Sequence, residues 1–119
     1  METNQMHPAD KENAALAFLH KAASVYRPLA GYEDTVLEIC FADLRKTYQL
    51  VLGIRSCTVL TEGFRPFAAR AEATYPVFED MLKGRKSPAM ALIKGQVKTK
   101  GDLKILKKLE EFFPGLEAD

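Results

Sequence analysis

The sequence predicts a single domain of the α/β class, specifically the α+β type, with a five-stranded and largely antiparallel sheet. Its 119 residues are enough for one domain with one hydrophobic core. Apolar and polar residues alternate in four segments between residues 35 and 75, and the connections between these segments are short. Helical spacing of apolar residues precedes this region, and short helical segments around one further strand follow it.

The composition is that of an ordinary globular protein, with 47% hydrophobic residues, 28% charged residues and a net charge of +1. No apolar run approaches the roughly 18 residues that span a bilayer. The beginning of the chain includes Glu2 and Asp10 and lacks the apolar core of a signal peptide, and its end matches no lipidation or peroxisomal signal. We therefore expect a cytoplasmic protein.

Two cysteines, Cys40 and Cys57, lie within segments of strand-like alternation and have no metal-binding spacing. A free cysteine in a strand usually behaves as a small buried apolar residue. We expect two buried free thiols in preference to a disulfide, which also fits a reducing compartment.

The first predicted element is a helix over residues 8–26. Pro8 suits its first turn, and Pro28 ends it because the residue before a proline avoids the α conformation. His20 has no second metal or catalytic partner near it in the sequence and is expected on the helix surface. Residues 1–7 are expected to form a flexible terminus. The predicted apolar face consists of Ala15, Phe18, Leu19, Ala22, Val25 and Tyr26.

Four strands are predicted next, over residues 35–42, 47–52, 55–61 and 67–75, each with side chains that alternate between two faces. Because short connections between consecutive strands favour antiparallel hairpins, we expect these strands to form a meander.

One face of the fourth strand is mostly alanine, and it alternates with charged residues on the other face. Alanine side chains leave room beside a sheet. Either helices pack closely against this face or a cavity lies there. The full face consists of Phe67, Ala69, Ala71, Ala73 and Tyr75.

The second half of the chain is predicted to contain three short helices and a fifth strand. The helices cover residues 76–83, 88–93 and 103–113, and the strand covers residues 96–100. Proline begins the first two helices, and Asp102 is the expected cap of the third.

These helices carry many large apolar side chains beside the alanine face. Methionines adapt to irregular shapes and are common at permissive apolar sites. The combination favours a pocket for an elongated apolar ligand, although a place in the ordinary core is the simpler interpretation of any one residue. The candidate ligand-binding residues are Phe67, Ala71, Tyr75, Phe78, Met81, Leu82, Met90, Ile93, Leu103, Leu106, Leu109 and Phe113.

Charge is distributed unevenly, with −4 over residues 1–43, +9 over residues 44–108 and −4 over residues 109–119. The lysine-rich stretch over residues 94–108 is interpreted as a solvated face, an anionic membrane contact or a nucleic-acid surface. This stretch lacks the aromatic side chains that stack on bases, so nucleic acid is not an expected partner. The candidate contacts for a lipid headgroup or an anionic membrane surface are Lys94, Lys98, Lys100 and Lys104.

The sequence offers little catalytic chemistry. Gly95 and Gly101 do not have the spacing of a phosphate-binding loop, and no Gly-x-Ser-x-Gly, His-Glu-x-x-His or Cys-x-x-Cys motif is present. The carboxylates Glu38, Glu72 and Glu79 are each expected to be solvent-facing charges. We therefore expect no enzymatic activity, cofactor or metal.

The second half also has a recognisable order of motifs. A strand that reads ARAEAT precedes a helix that reads VFEDMLKG, and KSPAMALI then leads into KGQVKTKGDL. This order resembles the sterol carrier protein type 2 family, in which a helix with the pattern x-Pro-x-x-Ala is followed by a strand between two glycines and an Asp or Asn. The resemblance covers residues 68–113 well, whereas residues 35–62 agree only as a series of strands.

The resemblance implies that residues 1–119 form one domain, in which helices cover one face of the sheet over a hydrophobic cavity. It implies non-catalytic binding or transfer of a sterol, a fatty acid, an acyl-CoA or another lipid in a tunnel. The short helix with the sequence MALI departs from the family, whose members often carry more aromatic residues there. The width of the pocket therefore does not follow from the resemblance, and the end of the chain does not support a role in peroxisomal sterol traffic.

Two alternative functions stay open at this point. The first is an accessory or scaffold domain that docks onto a partner protein or a membrane without carrying a free ligand. The second is an enzyme that acts on an acyl substrate. The sequence leaves the ligand and the oligomeric state open, a dimer included.

Overall fold

The computed structural model describes residues 8–116, and the flexible terminus predicted for residues 1–7 lies outside this range. The described part contains five helices and five strands. In chain order these are α1 (Pro8–Ser24), β1 (Thr35–Phe41), β2 (Lys46–Leu52), β3 (Cys57–Leu60), β4 (Ala69–Ala73), α2 (Tyr75–Leu82), α3 (Pro88–Ile93), β5 (Lys98–Gly101), α4 (Leu103–Lys107) and α5 (Leu109–Phe112).

The first helix buries the apolar face that its spacing predicts, and it ends at Ser24, two residues earlier than predicted. The hydroxyl of Tyr26 donates a hydrogen bond of 2.8 Å to the carbonyl oxygen of Gly53, which ties the end of α1 to the end of β2. His20 is exposed on the helix surface, as predicted. The buried members of the face are Ala15, Phe18, Leu19 and Ala22.

The five strands form one mixed sheet in the order β3-β2-β1-β4-β5. The pairs β1–β2, β2–β3 and β4–β5 are antiparallel, and the pair β1–β4 is parallel. The prediction of an α/β domain with a mostly antiparallel five-stranded sheet is confirmed. The predicted meander is correct for β1 to β3 but wrong for β4, which returns beside β1 instead of pairing with β3.

The connection between β3 and β4 explains this return. Gln49 lies on the face of β2 opposite to the helices and is fully buried. Its side-chain amide donates a hydrogen bond of 2.8 Å to the carbonyl oxygen of Arg65 and accepts one of 2.9 Å from the amide of Arg65. The side chain of Gln49 therefore binds the backbone as a neighbouring strand would. Residues 61–68 pass over this outer face of the sheet and deliver the chain to the far side of β1.

The outer face continues as a row of polar contacts across three strands. The amide of Gln49 also donates a hydrogen bond of 2.9 Å to Glu38, and the second carboxylate oxygen of Glu38 accepts one of 2.9 Å from Arg70. Arg70 also lies 3.3 Å from a carboxylate oxygen of Glu72. Desolvation is the strongest single influence on the pKa of Arg70 and lowers it, but the hydrogen bonds to Glu38 and Glu72 and the nearby negative charge together raise this pKa above its ordinary value. Glu38 and Glu72 are thus structural ion-pair partners and not plain solvent-facing charges.

The opposite face of β4 is the alanine face that the sequence predicts. Ala69, Ala71 and Ala73 are buried and pair in register with Leu37, Ile39 and Phe41 of β1. The strand is shorter than predicted, since Phe67 precedes it and Tyr75 begins α2. All three alanines face the helices.

The core between the helices and the sheet is built around Phe41. Its ring makes edge-on contacts with the rings of Tyr48, Tyr75 and Phe78, at centroid distances of 6.0, 5.8 and 5.2 Å. Tyr75 also meets Phe18 of α1 edge-on at 5.8 Å. Aromatic rings prefer such edge-to-face arrangements. They connect β1 to α1 and α2 on one side of the sheet.

The last helix predicted over residues 103–113 is two short helices that meet at Lys108. α4 packs on β4, whereas α5 packs on α2. A single straight helix could not present its apolar residues to both surfaces, and the change of direction at Lys108 resolves this. The buried residues are Ile105 and Leu106 of α4 and Leu109 and Phe112 of α5.

A close backbone approach at Gly101 sets the turn from β5 into α4. Gly101 has a φ of +86°, and a Cβ at this position would overlap the carbonyl oxygen of Ala68. That oxygen accepts a hydrogen bond of 2.9 Å from the amide of Asp102, and the Asp102 carboxylate accepts one of 2.9 Å from the amide of Lys104. Gly101 therefore allows the edge strand to end against β4 while Asp102 caps α4, as predicted.

The two cysteines are free thiols and are half-buried, so they are less enclosed than predicted. Cys40 lies on the outer face, 3.1 Å from the hydroxyl of Thr47. Cys57 lies on the helix side of β3 and packs against the core. Burial raises the pKa of the Cys57 thiol to about 12.

We expect Gly101→Ala to destabilise the fold by at least about 3 kcal/mol, because the backbone overlap adds to the strain of a positive φ. Gly31→Ala is the matched control, since Gly31 also has a positive φ, of +90°, but has no atom within 4 Å of the added Cβ. It should cost only about 1–2 kcal/mol. Urea denaturation of both variants measures the difference, and equal losses would contradict the close approach at Ala68.

We expect Cys57 to resist alkylation in the folded protein at pH 8. A pKa near 12 leaves about one thiol in 10⁴ ionised at that pH, compared with about one in ten for a thiol at the ordinary value near 9, and the thiolate is the reactive form. Peptide mass spectrometry after iodoacetamide treatment, with and without urea, measures the protection. Alkylation at the same rate in both conditions would show that Cys57 is not shielded.

Candidate functional site

A narrow apolar cleft lies between the alanine face of the sheet and the helices of the second half. Its floor is formed by Ala71 of β4 and Thr99 of β5, which are paired in register. Among its described lining residues, Thr99 and Lys107 carry the polar side-chain groups. The lining consists of Ala71, Met81, Pro88, Ala89, Leu92, Val97, Thr99, Leu103, Leu106, Lys107 and Leu109.

The sequence produces this cleft through residue size and spacing. Ala71 is too small to fill the space above the sheet, and α4 lies on one side of it because Gly101 turns the chain there. Pro88, Ala89 and Leu92 lie on one face of α3 at spacings of three and four residues, and this face forms the roof.

The cleft is almost closed, with an internal volume of about 20 Å³. Such a volume holds about one water molecule. Pockets that enclose small organic ligands are typically about 300–1,000 Å³. Of the two arrangements that the alanine face allows, the structure therefore shows close packing of the helices with a narrow space left between them. An elongated ligand requires that one wall move.

The roof helix α3 is the wall with the smallest apolar anchor. It has six residues, and its one buried residue is Ala91. Gly84 precedes the segment with a φ of +78°, and Gly95 follows it with a φ of +73°. By contrast, α2 buries three large side chains, Phe78, Met81 and Leu82. A short helix between two glycine turns, held mainly by an alanine, separates from the sheet at lower cost than the helices beside it.

Two exposed polar contacts lie within the α3 segment. The hydroxyl of Ser87 accepts a hydrogen bond of 3.4 Å from the amide of Met90, which caps the helix. The ammonium group of Lys86 donates one of 3.1 Å to the side chain of Gln96. These contacts join residues of the segment to one another, whereas the amides of Arg85 and Lys86 tie its beginning to the carbonyl oxygen of Asp80 at the end of α2, at 2.8 and 3.1 Å.

The structure brings five of the predicted ligand-binding residues together in this cleft. These are Ala71, Met81, Leu103, Leu106 and Leu109. Phe78, Leu82 and Phe113 lie in the core instead, and Tyr75 packs on the rings of Phe18 and Phe41. Leu82 and Phe113 also border a second cleft, of about 220 Å³, beside the residues that follow α5.

The structure places three other predicted residues away from the cleft. Met90 and Ile93 are on the solvent side of α3 and are 47% and 77% exposed. Ala91 and Leu92 of the same helix face inward in their place. Phe67 borders a cleft of about 490 Å³ on the outer face of the sheet, because it belongs to the connection that crosses that face.

The four lysines predicted to contact a headgroup or membrane are divided between the two sides of the sheet. Lys98 and Lys100 pair in register with Glu72 and Arg70, so they lie on the outer face. Lys94 ends α3 and Lys104 lies on α4, both on the helix side. The four residues therefore do not form one rim around the cleft.

Sequence reasoning missed six lining residues, which are Pro88, Ala89, Leu92, Val97, Thr99 and Lys107. A signal existed for some of them. Leu92 follows Pro88 by four residues and Ala89 by three, which is the spacing of one helical face. Val97 and Thr99 are two residues apart, as on one side of a strand. Nothing in the pattern marks Lys107, whose long side chain reaches the cleft from α4.

The chemistry of the cleft is the burial of apolar surface. Within residues 8–116, no group of three or more His, Cys, Asp or Glu side chains could hold a metal ion. Over the same range, no helix has both the length and the hydropathy to cross a bilayer. The hydroxyl of Thr99 and the ammonium group of Lys107 are available to a polar end of a ligand.

The family profile described as the SCP-2 sterol transfer family matches residues 13–114. No curated protein matches the chain.

The fold is similar to several solved structures of low sequence identity. UbiJ-SCP2, a ubiquinone synthesis protein, is 17% identical with a TM-score of 0.70, over 90% of this chain and 98% of that chain. Sterol Carrier Protein 2 Like 2 from Aedes aegypti is 15% identical with a TM-score of 0.62, over 88% of this chain and 98% of that chain. A stereoselective inverting sec-alkylsulfatase from Pseudomonas sp. is 21% identical with a TM-score of 0.62, over 79% of this chain and 14% of that enzyme. At these identities the similarity concerns the fold.

We expect the backbone amides of α3 to exchange with solvent faster than those of α2, because α3 has the smaller buried anchor. Hydrogen–deuterium exchange followed by mass spectrometry compares the two helices directly, and their similar length makes α2 the control. Protection of α3 equal to that of α2 would show that the roof does not open on its own.

Proposed function

We propose that this chain, which belongs to the SCP-2 sterol transfer family, binds an elongated lipid in the cleft between the alanine face and α3. Domains of this family typically bind or transfer lipids. The observation that carries the proposal is the apolar lining of this cleft under a weakly anchored roof. The ligand is of the sterol, fatty acid or acyl-CoA class.

Binding in this cleft draws its free energy from apolar surface removed from water. At about 25 cal/mol per Å², the burial of about 300 Å² of ligand contributes about 7 kcal/mol before the costs of association. Part of this is used to move α3, because the closed cleft has a volume of about 20 Å³. A ligand therefore stabilises an open position of α3 that the free protein visits rarely.

The polar groups of the cleft suggest how the ligand is oriented. The ammonium group of Lys107 at the edge of the cleft is suited to a carboxylate or phosphate, and the hydroxyl of Thr99 to a hydroxyl group. An acyl chain or a sterol body would then lie along Ala71 and Leu106. Among residues 8–116, neither polar group has a partner that would activate it as a nucleophile, so we propose binding without catalysis.

We expect Leu92→Asn to weaken lipid binding by about tenfold or more, because it places an amide in the apolar roof of the cleft. Ile54→Asn is the matched control, since Ile54 is 69% exposed in the turn between β2 and β3, far from the cleft. Fluorescent fatty-acid and sterol analogues, titrated into the purified protein, measure the affinity. Native mass spectrometry of gently purified protein identifies any lipid that accompanies it.

Two results would contradict the proposal. The first is wild-type protein that carries no lipid and binds none of the analogues at micromolar concentration. The second is an equal loss of affinity in Leu92→Asn and Ile54→Asn. Ile93→Asn adds a further comparison: a loss as large as that of Leu92→Asn would place the ligand against the outer side of α3.

An accessory role is the second candidate function. Two observations favour it, namely the near closure of the cleft and the structural similarity of 90% of this chain to UbiJ-SCP2, a ubiquinone synthesis protein. In this role the chain would dock onto a partner protein and carry no free ligand. The titrations above separate the two roles, because an accessory domain with a closed cleft binds none of the analogues. The free thiols support a reducing compartment for either role.

A further inference from the structure

The outward side of α3 exposes apolar side chains directly above the cleft. Met90 and Ile93 are three residues apart on this side and are 47% and 77% exposed, and Leu103 at the start of α4 is 39% exposed while it also lines the cleft. Single exposed apolar residues are common on protein surfaces. Here Met90 and Ile93 lie on the roof helix α3, whose inner side is also apolar.

The same surface carries basic residues. Residues 85–108 contain eight Lys and Arg residues and one carboxylate, that of Asp102, and two of the eight, Lys98 and Lys100, lie on the outer face instead. Lys94 and Lys104 are exposed and form no ion pair with any other residue in the range 8–116. We call Met90, Ile93, Leu103, Lys94 and Lys104 the α3 surface.

We propose that the α3 surface binds an anionic lipid bilayer and that this contact draws α3 away from the cleft. The inference rests on the proposed function, since it identifies where the lipid ligand comes from. Exposed apolar side chains enter the interface between headgroups and acyl chains, and the lysines beside them are attracted to anionic headgroups. The outward side of α3 then contacts the bilayer, and its inward side contacts the lipid ligand.

The size of the surface favours a bilayer over a protein partner. A stable protein interface buries about 800 Å² on each side. The α3 surface has three exposed apolar side chains, two on the six-residue helix α3 and one at the start of α4, which is small for that purpose. Attachment to a bilayer is reversible and needs fewer apolar groups when basic residues accompany them.

The two lysines of the outer face provide an internal control. Lys98 and Lys100 are exposed and basic like Lys94 and Lys104, but they lie on the other side of the sheet, with Glu72 and Arg70. A contact that depends only on net charge would use both pairs equally. A contact made by the α3 surface depends on Lys94 and Lys104.

The test measures co-sedimentation of the full chain with vesicles of phosphatidylcholine alone and of phosphatidylcholine with one-quarter phosphatidylglycerol. We expect binding to the anionic vesicles and little to the neutral ones. The double change Lys94→Glu and Lys104→Glu should reduce binding at least about tenfold, and Lys98→Glu with Lys100→Glu should reduce it far less. Ile93→Asn should reduce it several-fold, and Ile54→Asn should leave it unchanged. Circular dichroism confirms that each variant is folded.

Equal losses from the two lysine pairs, equal losses from Ile93→Asn and Ile54→Asn, or equal binding to neutral and anionic vesicles would each overturn the inference. Soluble polyglutamate is added as a competitor. If it abolishes binding to the anionic vesicles and Ile93→Asn has no effect, the surface is one for an acidic polypeptide and the inference fails.

The vesicle assay and the ligand titration fail independently. Wild-type protein that binds fatty-acid analogues but not anionic vesicles overturns the bilayer contact and leaves the proposed function intact. Wild-type protein that binds the vesicles through the α3 surface but binds no analogue supports the bilayer contact and overturns the proposed function.

Discussion

The parallel pairing of β4 with β1 is the constraint on which the rest of the structure depends. It places Ala69, Ala71 and Ala73 beside the large side chains of β1. It also puts β5 at the edge of the sheet next to β4, with α3 and α4 near these two strands. The pairing requires the chain to cross the outer face, where the buried amide of Gln49 holds the backbone of Arg65 by two hydrogen bonds. A buried amide with unpaired donors and acceptors costs free energy, so this crossing is favoured over other paths. The position of the cleft thus follows from a contact on the opposite face.

Much of this fold could be predicted from local patterns, because strand alternation and helical spacing depend on neighbouring residues. The alanine face and the turn at Gly101 are examples. The parallel register of β4 could not be predicted from local patterns, because it depends on the contact between Gln49 and Arg65. These residues are polar and far apart in the sequence, and hydropathy patterns do not mark such pairs. The rotation of α3 about its axis could not be predicted from the hydropathy pattern either. All of Met90, Ala91, Leu92 and Ile93 are apolar, so hydropathy does not say which of them face inward.

The two faces of the sheet have different physical characters. The helix side is apolar, and its helices leave a space of only about 20 Å³ above the sheet. The outer side is held by ion pairs among Glu38, Arg70 and Glu72 and by the crossing segment. The aromatic contacts around Phe41 tie α1 and α2 to the sheet, whereas α3 buries one alanine. The strong attachment of α1 and α2 and the weak attachment of α3 therefore come from different sets of residues.

The alternation of β4 has a consequence for substitutions in this strand. Ala71 faces the cleft, while its neighbours Arg70 and Glu72 belong to the ionic network on the other side. A substitution that changes the bulk of the residue at position 71 alters the depth of the cleft and leaves the network that fixes the sheet untouched. The depth of the cleft and the ionic network of the outer face thus depend on alternate residues of one five-residue strand.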